Sequence, residues 1–289
     1  MHQGAARGTL SSVRNGSDSH SPLSARPGEP VLRLEDAGLA FGDRVLWSGL
    51  DLVVSAGEFI TVLGPNGSGK TTLLRALLGM QPLSSGRLSI RGAPPHRGSR
   101  HTGYVPQQRS LDPVTPIRAR DLVRLGIDGD RWGVGRHGHR AEVDELLAAV
   151  GASAYADVPV GLLSGGEQQR VRIAQAIASR PALLLCDEPL LSLDLRRQQE
   201  VTALIDATRR ATGAAVLFVT HEINPVLPYT DRVLYLGPHG HAVGPPDEVL
   251  TSPRLTALYG TPIEVLRAQG RVLIVGDDAH THHLEEAGA

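Results

Sequence analysis

The chain carries, at residues 64–72, the run Gly-Pro-Asn-Gly-Ser-Gly-Lys-Thr-Thr. This run matches the phosphate-binding pattern G-x-x-x-x-G-K-[ST], in which glycines allow backbone N–H groups to approach the phosphates of a nucleotide. Lys70 is the only lysine among the 29 lysine and arginine residues of the chain. Because a compact ammonium reaches between phosphate oxygens in a way that a planar guanidinium does not, the one lysine at this position indicates a nucleotide site.

The segments on either side of this loop have the pattern that a phosphate loop requires. Residues 59–63 form an apolar run typical of a buried strand, and residues 71–79 are apolar at helical spacing. The loop would then lie at the N-terminus of a helix, where the helix dipole favours an anion. Taken alone, the motif predicts a P-loop nucleotide-binding protein and leaves kinases, GTPases and other classes open.

Composition narrows the classes of protein. Of the 289 residues, 41% are hydrophobic and 20% charged, which is typical of a globular chain with a sizeable core. The net charge of −1 shows no basic excess, so we predict no nucleic-acid partner. No segment approaches the roughly 20 apolar residues of a membrane span. The single cysteine, Cys186, lies in an apolar run and is predicted to be a core residue in a reducing compartment.

The order of segments predicts an α/β fold. Residues 31–54 alternate like short antiparallel strands joined by tight turns, and residues 117–125 and 141–150 have helical periodicity. From Gly165 onward the pattern predicts a helix to about residue 179, a strand at 183–186, a helix at 195–211 and a strand at 215–219. Because strands that alternate with helices form parallel sheets, the second half of the chain predicts such a sheet.

Further polar elements follow the phosphate loop in a fixed order. They are Tyr-Val-Pro-Gln ending at Gln107, Leu-Ser-Gly-Gly-Glu-Gln-Gln-Arg at 163–170, Asp187-Glu188-Pro189, Ser192-Leu-Asp194 and Thr220-His221-Glu222. The second places a hydroxyl and two glycines at a helix start, which is by itself a common helix cap. The complete ordered set is far more specific than any one member.

This set resembles the ATP-binding cassette ATPases, and the resemblance covers nearly all of residues 31–242. It implies a P-loop NTPase with a RecA-like, mostly parallel sheet, an antiparallel β subdomain and a small helical subdomain. We therefore expect a disordered leader at 1–29, an ATPase domain at 30–268 with its helical subdomain at about 108–163, and a C-terminal strand and polar tail at 269–289. The implied ligands are ATP and Mg²⁺.

The resemblance also implies which residues bind the nucleotide and its metal. Phe41 would stack on adenine, and Thr71, Gln107 and Asp187 would serve Mg²⁺, with Asp187 acting through water. The residues implied for the phosphates are Gly64, Pro65, Asn66, Gly67, Ser68, Gly69, Lys70, Thr71 and Thr72.

The same resemblance implies the residues of hydrolysis. Glu188 follows Asp187 at the end of an apolar strand, where a carboxylate beside the γ-phosphate orients and polarises water for in-line attack. Gln107 would contact the attacking water, Lys70 the phosphates, and His221 would sense the γ-phosphate. Ser164, Gly165 and Gly166 would complete the site of the opposite subunit.

The chain has one phosphate loop and one Ser-Gly-Gly element, so it is predicted to be a single cassette. In the family that it resembles, a second copy pairs head to tail and two nucleotides are sandwiched. The resemblance further implies integral-membrane permease subunits, gripped by the Gln107 loop and the helical segment beyond it. It also implies an indirect link to an extracytoplasmic solute-binding protein and a peripheral location on the cytoplasmic face of the membrane.

The cargo is indicated by the last third of the chain. Residues 223–236, 246–250 and 258–266 look similar to ATPases of the manganese, zinc and iron chelate importers, so we predict import of a divalent metal, manganese or zinc. Alternatives are a siderophore or haem importer ATPase, a lipid or multidrug export ATPase, and a soluble cassette ATPase of iron–sulfur assembly. The tail with His280, His282 and His283 carries groups that bind metals, but such tails are more typical of solvated chain ends.

Overall fold

The structure is a computed structural model that describes residues 29–107, 112, 115–128, 139–191 and 193–276. Residues 1–28 of the predicted leader, Ser192 of the motif at 192–194 and the tail with His280, His282 and His283 lie outside these described residues. In the described ranges, no helix is both long and apolar enough to cross a membrane.

Strands and helices alternate along much of the chain. The strands are β1 (Pro30–Phe41), β2 (Arg44–Ser55), β3 (Phe59–Leu63), β4 (Ser85–Ile90), β5 (Thr102–Val105), β6 (Leu183–Asp187), β7 (Ala215–Val219), β8 (Arg232–Gly237), β9 (Gly240–Gly244), β10 (Ile263–Ala268) and β11 (Arg271–Gly276). The helices are α1 (Lys70–Leu77), α2 (Ala119–Asp128), α3 (Arg140–Ala149), α4 (Gly165–Ile177), α5 (Leu195–Thr212), α6 (Pro246–Val249) and α7 (Ser252–Tyr259). The predicted α/β fold is confirmed, with the ends of the predicted helices shifted by a few residues.

The main sheet has six strands in the order β5-β6-β7-β3-β8-β9. All neighbouring pairs are parallel except β8 and β9. Every residue of β3, β6 and β7 is buried, because helices cover both faces of a parallel sheet. The carboxyl ends of these three adjacent strands meet at one edge, which is where open α/β sheets bind ligands. Cys186 of β6 is fully buried, as predicted.

A second, antiparallel sheet has the order β2-β1-β4. The prediction of several short strands across residues 31–54 was wrong, since β1 and β2 each extend over 12 residues. Register shifts interrupt their pairing between Leu34 and Ala37 and between Ala37 and Leu39, and Asp36 has a φ of 46°. Such bulges disturb the apolar alternation without ending a strand. Strand β4 was not predicted, because its mostly exposed residues carry little apolar pattern.

The helices α2, α3 and α4 pack together beside the main sheet. Val123, Leu147 and Ile173, one from each helix, are fully buried in a single apolar cluster with β3, β6 and β7 residues. Near the C-terminus, β10 and β11 form a two-stranded hairpin with its turn at residues 269 and 270. The predicted boundary between residues 268 and 269 therefore lies at the turn of this hairpin.

Candidate nucleotide-binding and hydrolysis site

The phosphate loop connects β3 to α1 at the carboxyl edge of the main sheet. Gly64 has a φ of 144°, and a Cβ atom there would lie 2.2 Å from the carbonyl oxygen of Leu236. Gly69, the N-cap of α1, has a φ of 94° in the left-handed region. Since only glycine adopts these conformations at low cost, both glycines of the motif are required by the backbone path itself.

Lys70 is buried, with 6% of the residue exposed, and its ammonium lies over the loop. Nζ donates hydrogen bonds to the carbonyl oxygens of Gly64, at 2.6 Å, and Pro65, at 3.0 Å. Burial lowers the pKa of Lys70, while the carboxylates of Glu188 and Asp187 oppose that shift. The loop therefore holds a partly desolvated cation next to two carboxylates, and phosphate oxygens are stronger acceptors for it than the two carbonyls.

Two buried polar atoms beside the loop have no hydrogen-bond partner among the described residues. They are the hydroxyl of Ser68 and the indole nitrogen of Trp47 on β2. The indole nitrogen lies 2.9 Å from the position that a Cβ on Gly69 would occupy. Buried donors are normally paired, so these two atoms and the glycine cradle fit a polyanionic ligand. Trp47 was missed in the sequence because it lies far from the loop along the chain.

Asp187 ends β6 and is 5% exposed. The hydroxyl of Tyr104, on the adjacent strand β5, donates a hydrogen bond to Asp187 Oδ2 at 3.2 Å. Burial raises the pKa of Asp187, whereas the Tyr104 hydrogen bond lowers it. Burial and the Asp187 charge raise the pKa of Tyr104 to about 12, so its hydroxyl stays protonated and remains a donor near neutral pH. Tyr104 had no predicted role, although it lies in the motif that ends at Gln107.

Glu188 follows directly and has a φ of 45°, which is strained for a residue with a side chain. Its N–H donates to the carbonyl oxygen of Val219 on β7 at 3.0 Å, which holds the backbone in that conformation. Gln107 Nε2 donates to Glu188 Oε2 at 3.3 Å. The structure thus places the predicted base and the predicted glutamine in direct contact.

His221 lies just beyond the carboxyl end of β7. Its side chain is 40% exposed, and Nε2 lies 3.7 Å from a carboxylate oxygen of Glu222. A cavity of about 210 Å³ joins His221 to Glu188. The other residues that line the cavity are Leu190, Leu191, Leu193, Gln198, Thr220 and Glu222. The two predicted hydrolysis residues therefore face a common space.

The remaining predicted residues lie outside this cavity. Phe41 is 51% exposed at the end of β1, and the nearby Arg44 donates from Nη2 to the carbonyl oxygen of Gly67 at 3.2 Å. Ser164 caps α4 in a capping box with Glu167, whose carboxylate accepts from the backbone N–H and the hydroxyl of Ser164, both at 2.8 Å. Gly165 and Gly166 are the first two residues of α4 and lie near the surface, and Gly166 is next to Arg197.

The three residues predicted to serve Mg²⁺ lie on neighbouring elements beside the phosphate loop. Thr71 follows Lys70 at the start of α1, and Asp187 and Gln107 lie at the ends of the neighbouring strands β6 and β5. Hydroxyl, carboxylate and amide oxygens are the ligands that Mg²⁺ prefers. The described residues contain no cluster of three or more His, Cys, Asp or Glu side chains that could hold a metal by themselves. Any cation here would therefore depend on the nucleotide for further ligands.

Comparison with known proteins decides the family. Residues 47–191 match the family described as "ABC transporter". A zinc import ATP-binding protein ZnuC from Pseudomonas entomophila (strain L48) is 32% identical over 88% of this chain and 98% of that relative. The chain belongs to the ABC transporter family. It is the ATP-binding part of such a transporter, and an ATPase.

Other relatives and solved structures agree with this assignment. The zinc import ATP-binding protein ZnuC of Yersinia pestis is 38% identical over 80% of this chain and 86% of the relative. An ABC transporter of metal-chelate type, solved in an inward-facing conformation, superposes with a TM-score of 0.73 at 27% identity over 86% of this chain and 98% of that chain. The cbiO1 protein of Clostridium perfringens gives a TM-score of 0.66 at 25% identity, over 78% and 93% of the two chains.

The Tyr104 hydroxyl provides a first testable prediction for this ABC ATPase. Tyr104→Phe removes a hydrogen bond to a buried carboxylate, an interaction worth about 1.5–3 kcal/mol, so we expect kcat for ATP hydrolysis to fall by about ten- to a hundredfold. The Mg²⁺ concentration that gives half-maximal activity should rise. Electron paramagnetic resonance of bound Mn²⁺, with nucleotide present, measures the affinity for the metal independently of the rate of hydrolysis.

The matched control is Tyr259→Phe, because Tyr259 also shares its hydroxyl with one partner, Tyr235, at 2.7 Å, but lies away from the phosphate loop. Unchanged Mn²⁺ affinity and kcat in Tyr104→Phe would show that the hydroxyl does not position Asp187.

Proposed function

We propose that this chain hydrolyses ATP to power the import of a divalent metal, zinc, through separate permease subunits. The main observation in favour of hydrolysis is the hydrogen bond between Gln107 and Glu188. Glu188 and Asp187 also lie close enough to Lys70 to affect its pKa. The assignment to zinc is supported by the relatives named zinc import ATP-binding protein, which are 32% to 38% identical to this chain. Manganese is the second metal that the sequence pattern favours.

In this proposal, the phosphate loop binds the triphosphate. Lys70 releases the carbonyl oxygens of Gly64 and Pro65 and donates to phosphate oxygens, together with the Ser68 hydroxyl and the backbone N–H groups of the loop. Thr71, Gln107 and Asp187 would hold Mg²⁺, which supplies charge compensation for the triphosphate. Phe41, exposed at the end of β1 near the loop, provides the flat surface on which adenine stacks.

Hydrolysis requires a water molecule in line with the γ-phosphate. Glu188 accepts a hydrogen bond and then the proton of this water, while Gln107 holds the carboxylate in place. The water oxygen bonds to the γ-phosphorus as the bond to the β–γ bridging oxygen breaks, which gives ADP and phosphate. His221, across the shared cavity from Glu188, donates to the γ-phosphate.

A second copy of the chain completes the site. Ser164 caps an α-helix of 13 residues and is exposed, so a nucleotide bound on another subunit can reach the helix N-terminus and can replace Glu167 as the acceptor for the Ser164 hydroxyl. In a head-to-tail dimer, each Ser164-Gly165-Gly166 element would contact the γ-phosphate held by the partner. Closure of the dimer then precedes hydrolysis, so ATP binding itself moves the two subunits together.

A groove lined in part by Pro106, next to Gln107, is the candidate docking site for a permease. Its volume is about 380 Å³, and it lies between the edge strand β5 and the helices α2 and α4. Pro106, adjacent to Gln107, lines it together with Gly126 and Gln175, and Leu125 on α2 is 52% exposed. We propose that a short permease segment docks here and places the ATPase on the cytoplasmic face of the membrane, with a solute-binding protein contacting the permease from the other side.

Metal accumulation in cells tests the function. Cells without this gene, grown under zinc limitation, should accumulate less zinc than the parent by elemental analysis, and the wild-type gene should restore it whereas Glu188→Gln should not. A lower manganese content with normal zinc would identify manganese as the imported metal. Loss of iron with normal zinc and manganese would support the siderophore or haem alternative, and normal contents of all three metals would contradict metal import.

A further inference from the structure

The C-terminal hairpin is anchored to the body of the protein along both of its edges. On the β10 edge, two hydroxyls of α7 bond to the strand backbone. Ser252 Oγ accepts from the N–H of Val265 at 2.9 Å, and Thr256 Oγ1 accepts from the N–H of Ile263 at 3.0 Å. Helix α7 is joined to β8 by the hydrogen bond between the hydroxyls of Tyr259 and Tyr235. The hairpin is therefore a fixed part of the fold.

On the β11 edge, where Val272 packs into the apolar core, the side chain of Asn224 makes the hydrogen bonds to the strand that the described residues show. Its Nδ2 donates to the carbonyl oxygen of Val272 at 3.0 Å, and its Oδ1 accepts from the N–H of Val272 at 2.8 Å. The side-chain amide thus replaces the strand that would otherwise pair with this edge. Val272 is 3% exposed whereas Asn224 is exposed, so the pair of bonds is partly shielded from solvent.

Asn224 belongs to the segment that carries His221. Two exposed residues, His221 and Glu222, lie between two buried ones, Thr220 at 2% and Ile223 at 5% exposure. On the β7 side, the Thr220 hydroxyl bonds to both the N–H and the carbonyl oxygen of Glu222. On the other side, Ile223 is buried and its carbonyl oxygen accepts from the N–H groups of Val226 and Leu227, and Asn224 adds its two bonds to the hairpin.

We infer that Asn224 is a positioning residue, which holds His221 in the hydrolysis site by tying its segment to the C-terminal hairpin. This inference rests on the proposed role of His221 at the γ-phosphate. An ångström of displacement at a catalytic group lowers rates strongly, and Asn224 ties the C-terminal side of this segment to the hairpin, in addition to the local bonds that the Ile223 carbonyl accepts. Within the described part of the chain, the side-chain hydrogen bonds of Asn224 go to Val272 and not to the phosphate loop or Asp187, so we expect Asn224 to affect turnover rather than nucleotide binding.

The test compares full-length variants by kcat, KM for ATP and ATP affinity. Asn224→Ala removes both bonds, and we expect kcat to fall by about tenfold with ATP affinity unchanged. Asn224→Asp keeps the shape and the acceptor for Val272 N–H but loses the donor to the Val272 carbonyl, so its kcat should lie between those of Asn224→Ala and the parent. Because this variant is isosteric, it tests the inference even if Asn224→Ala folds poorly.

Two further variants separate positioning from general stability. Thr256→Val removes the equivalent hydroxyl bonds on the β10 edge, so it loosens the hairpin away from His221 and should keep nearly the parental kcat. Asn224→Ala combined with His221→Ala should be no slower than His221→Ala alone, because the two residues act as one unit.

The outcomes distinguish this inference from the proposed function. If His221→Ala lowers kcat but Asn224→Ala has the parental kcat, the inference about Asn224 is wrong and the proposed role of His221 stands. Additive losses in the double variant, or an equal fall in Thr256→Val, also overturn it, since Asn224 would then act elsewhere or only through stability. A His221→Ala variant at the parental rate overturns both the role of His221 and the inference that depends on it.

Discussion

Glu188→Gln is expected to lower kcat for ATP hydrolysis by about a thousandfold while ATP still binds. Glutamine keeps the size and the hydrogen-bonding reach of Glu188 but cannot accept the proton of the attacking water. The contacts that hold the backbone, from the Glu188 N–H to Val219, do not involve the carboxylate and remain. Hydrolysis therefore stops at the ATP-bound stage, and the proposed head-to-tail dimer should accumulate.

Two measurements check this expectation. Steady-state phosphate release gives kcat, and light scattering coupled to size-exclusion chromatography gives the mass with ATP and Mg²⁺. Glu35→Gln is a suitable control, because Glu35 lies on β1 and pairs with the surface residues Arg33 and Arg87. A Glu188→Gln variant that hydrolyses ATP at the parental rate contradicts the role of Glu188 as base. One that loses activity but stays monomeric with ATP contradicts the sandwich dimer instead.

Lys70→Ala is expected to weaken ATP binding by about a hundredfold or more, because charge-assisted hydrogen bonds are worth about 1.5–3 kcal/mol each and Lys70 can donate more than one to the phosphates. Its ammonium already makes two hydrogen bonds in the loop, so the donor is positioned before the nucleotide arrives. Removing it also takes away one of the cations near the buried carboxylate of Asp187, where Arg75 remains. Titration with a fluorescent ATP analogue gives the affinity directly.

Lys70→Arg distinguishes shape from charge. The variant keeps the cation, but a planar guanidinium in a buried loop cannot take the place of a compact ammonium, so we expect ATP affinity to remain well below that of the parent. Arg87→Ala, which removes an exposed cation on β4, is the control for net charge and should bind ATP normally. If Lys70→Ala bound ATP as tightly as the parent, the loop would not be the triphosphate site.

Much of this site was predictable from local sequence, because its motifs follow directly on buried strands. Gly64 and Glu188 each directly follow an apolar strand, and Lys70 begins the helix after the loop that Gly64 opens; parallel strands bring such ends to one edge of a sheet. The fully buried strands β3, β6 and β7 were recognisable as apolar runs for the same reason. The pattern was less informative for the antiparallel sheet, where bulges in β1 and the exposed face of β4 obscure the alternation.

The sequence by itself determined the family, the phosphate loop and the order of the catalytic motifs, because each depends on residue types at fixed local spacing. Only the tertiary structure decided which distant residues support them. Tyr104 reaches Asp187 across 83 positions, and Asn224 reaches Val272 across 48. These pairs form because of the order of strands in the sheet and the packing of the hairpin, and no local sequence pattern predicts them. The residues that act on the nucleotide can therefore be recognised from short motifs, whereas the contacts that position these residues form only in the folded chain.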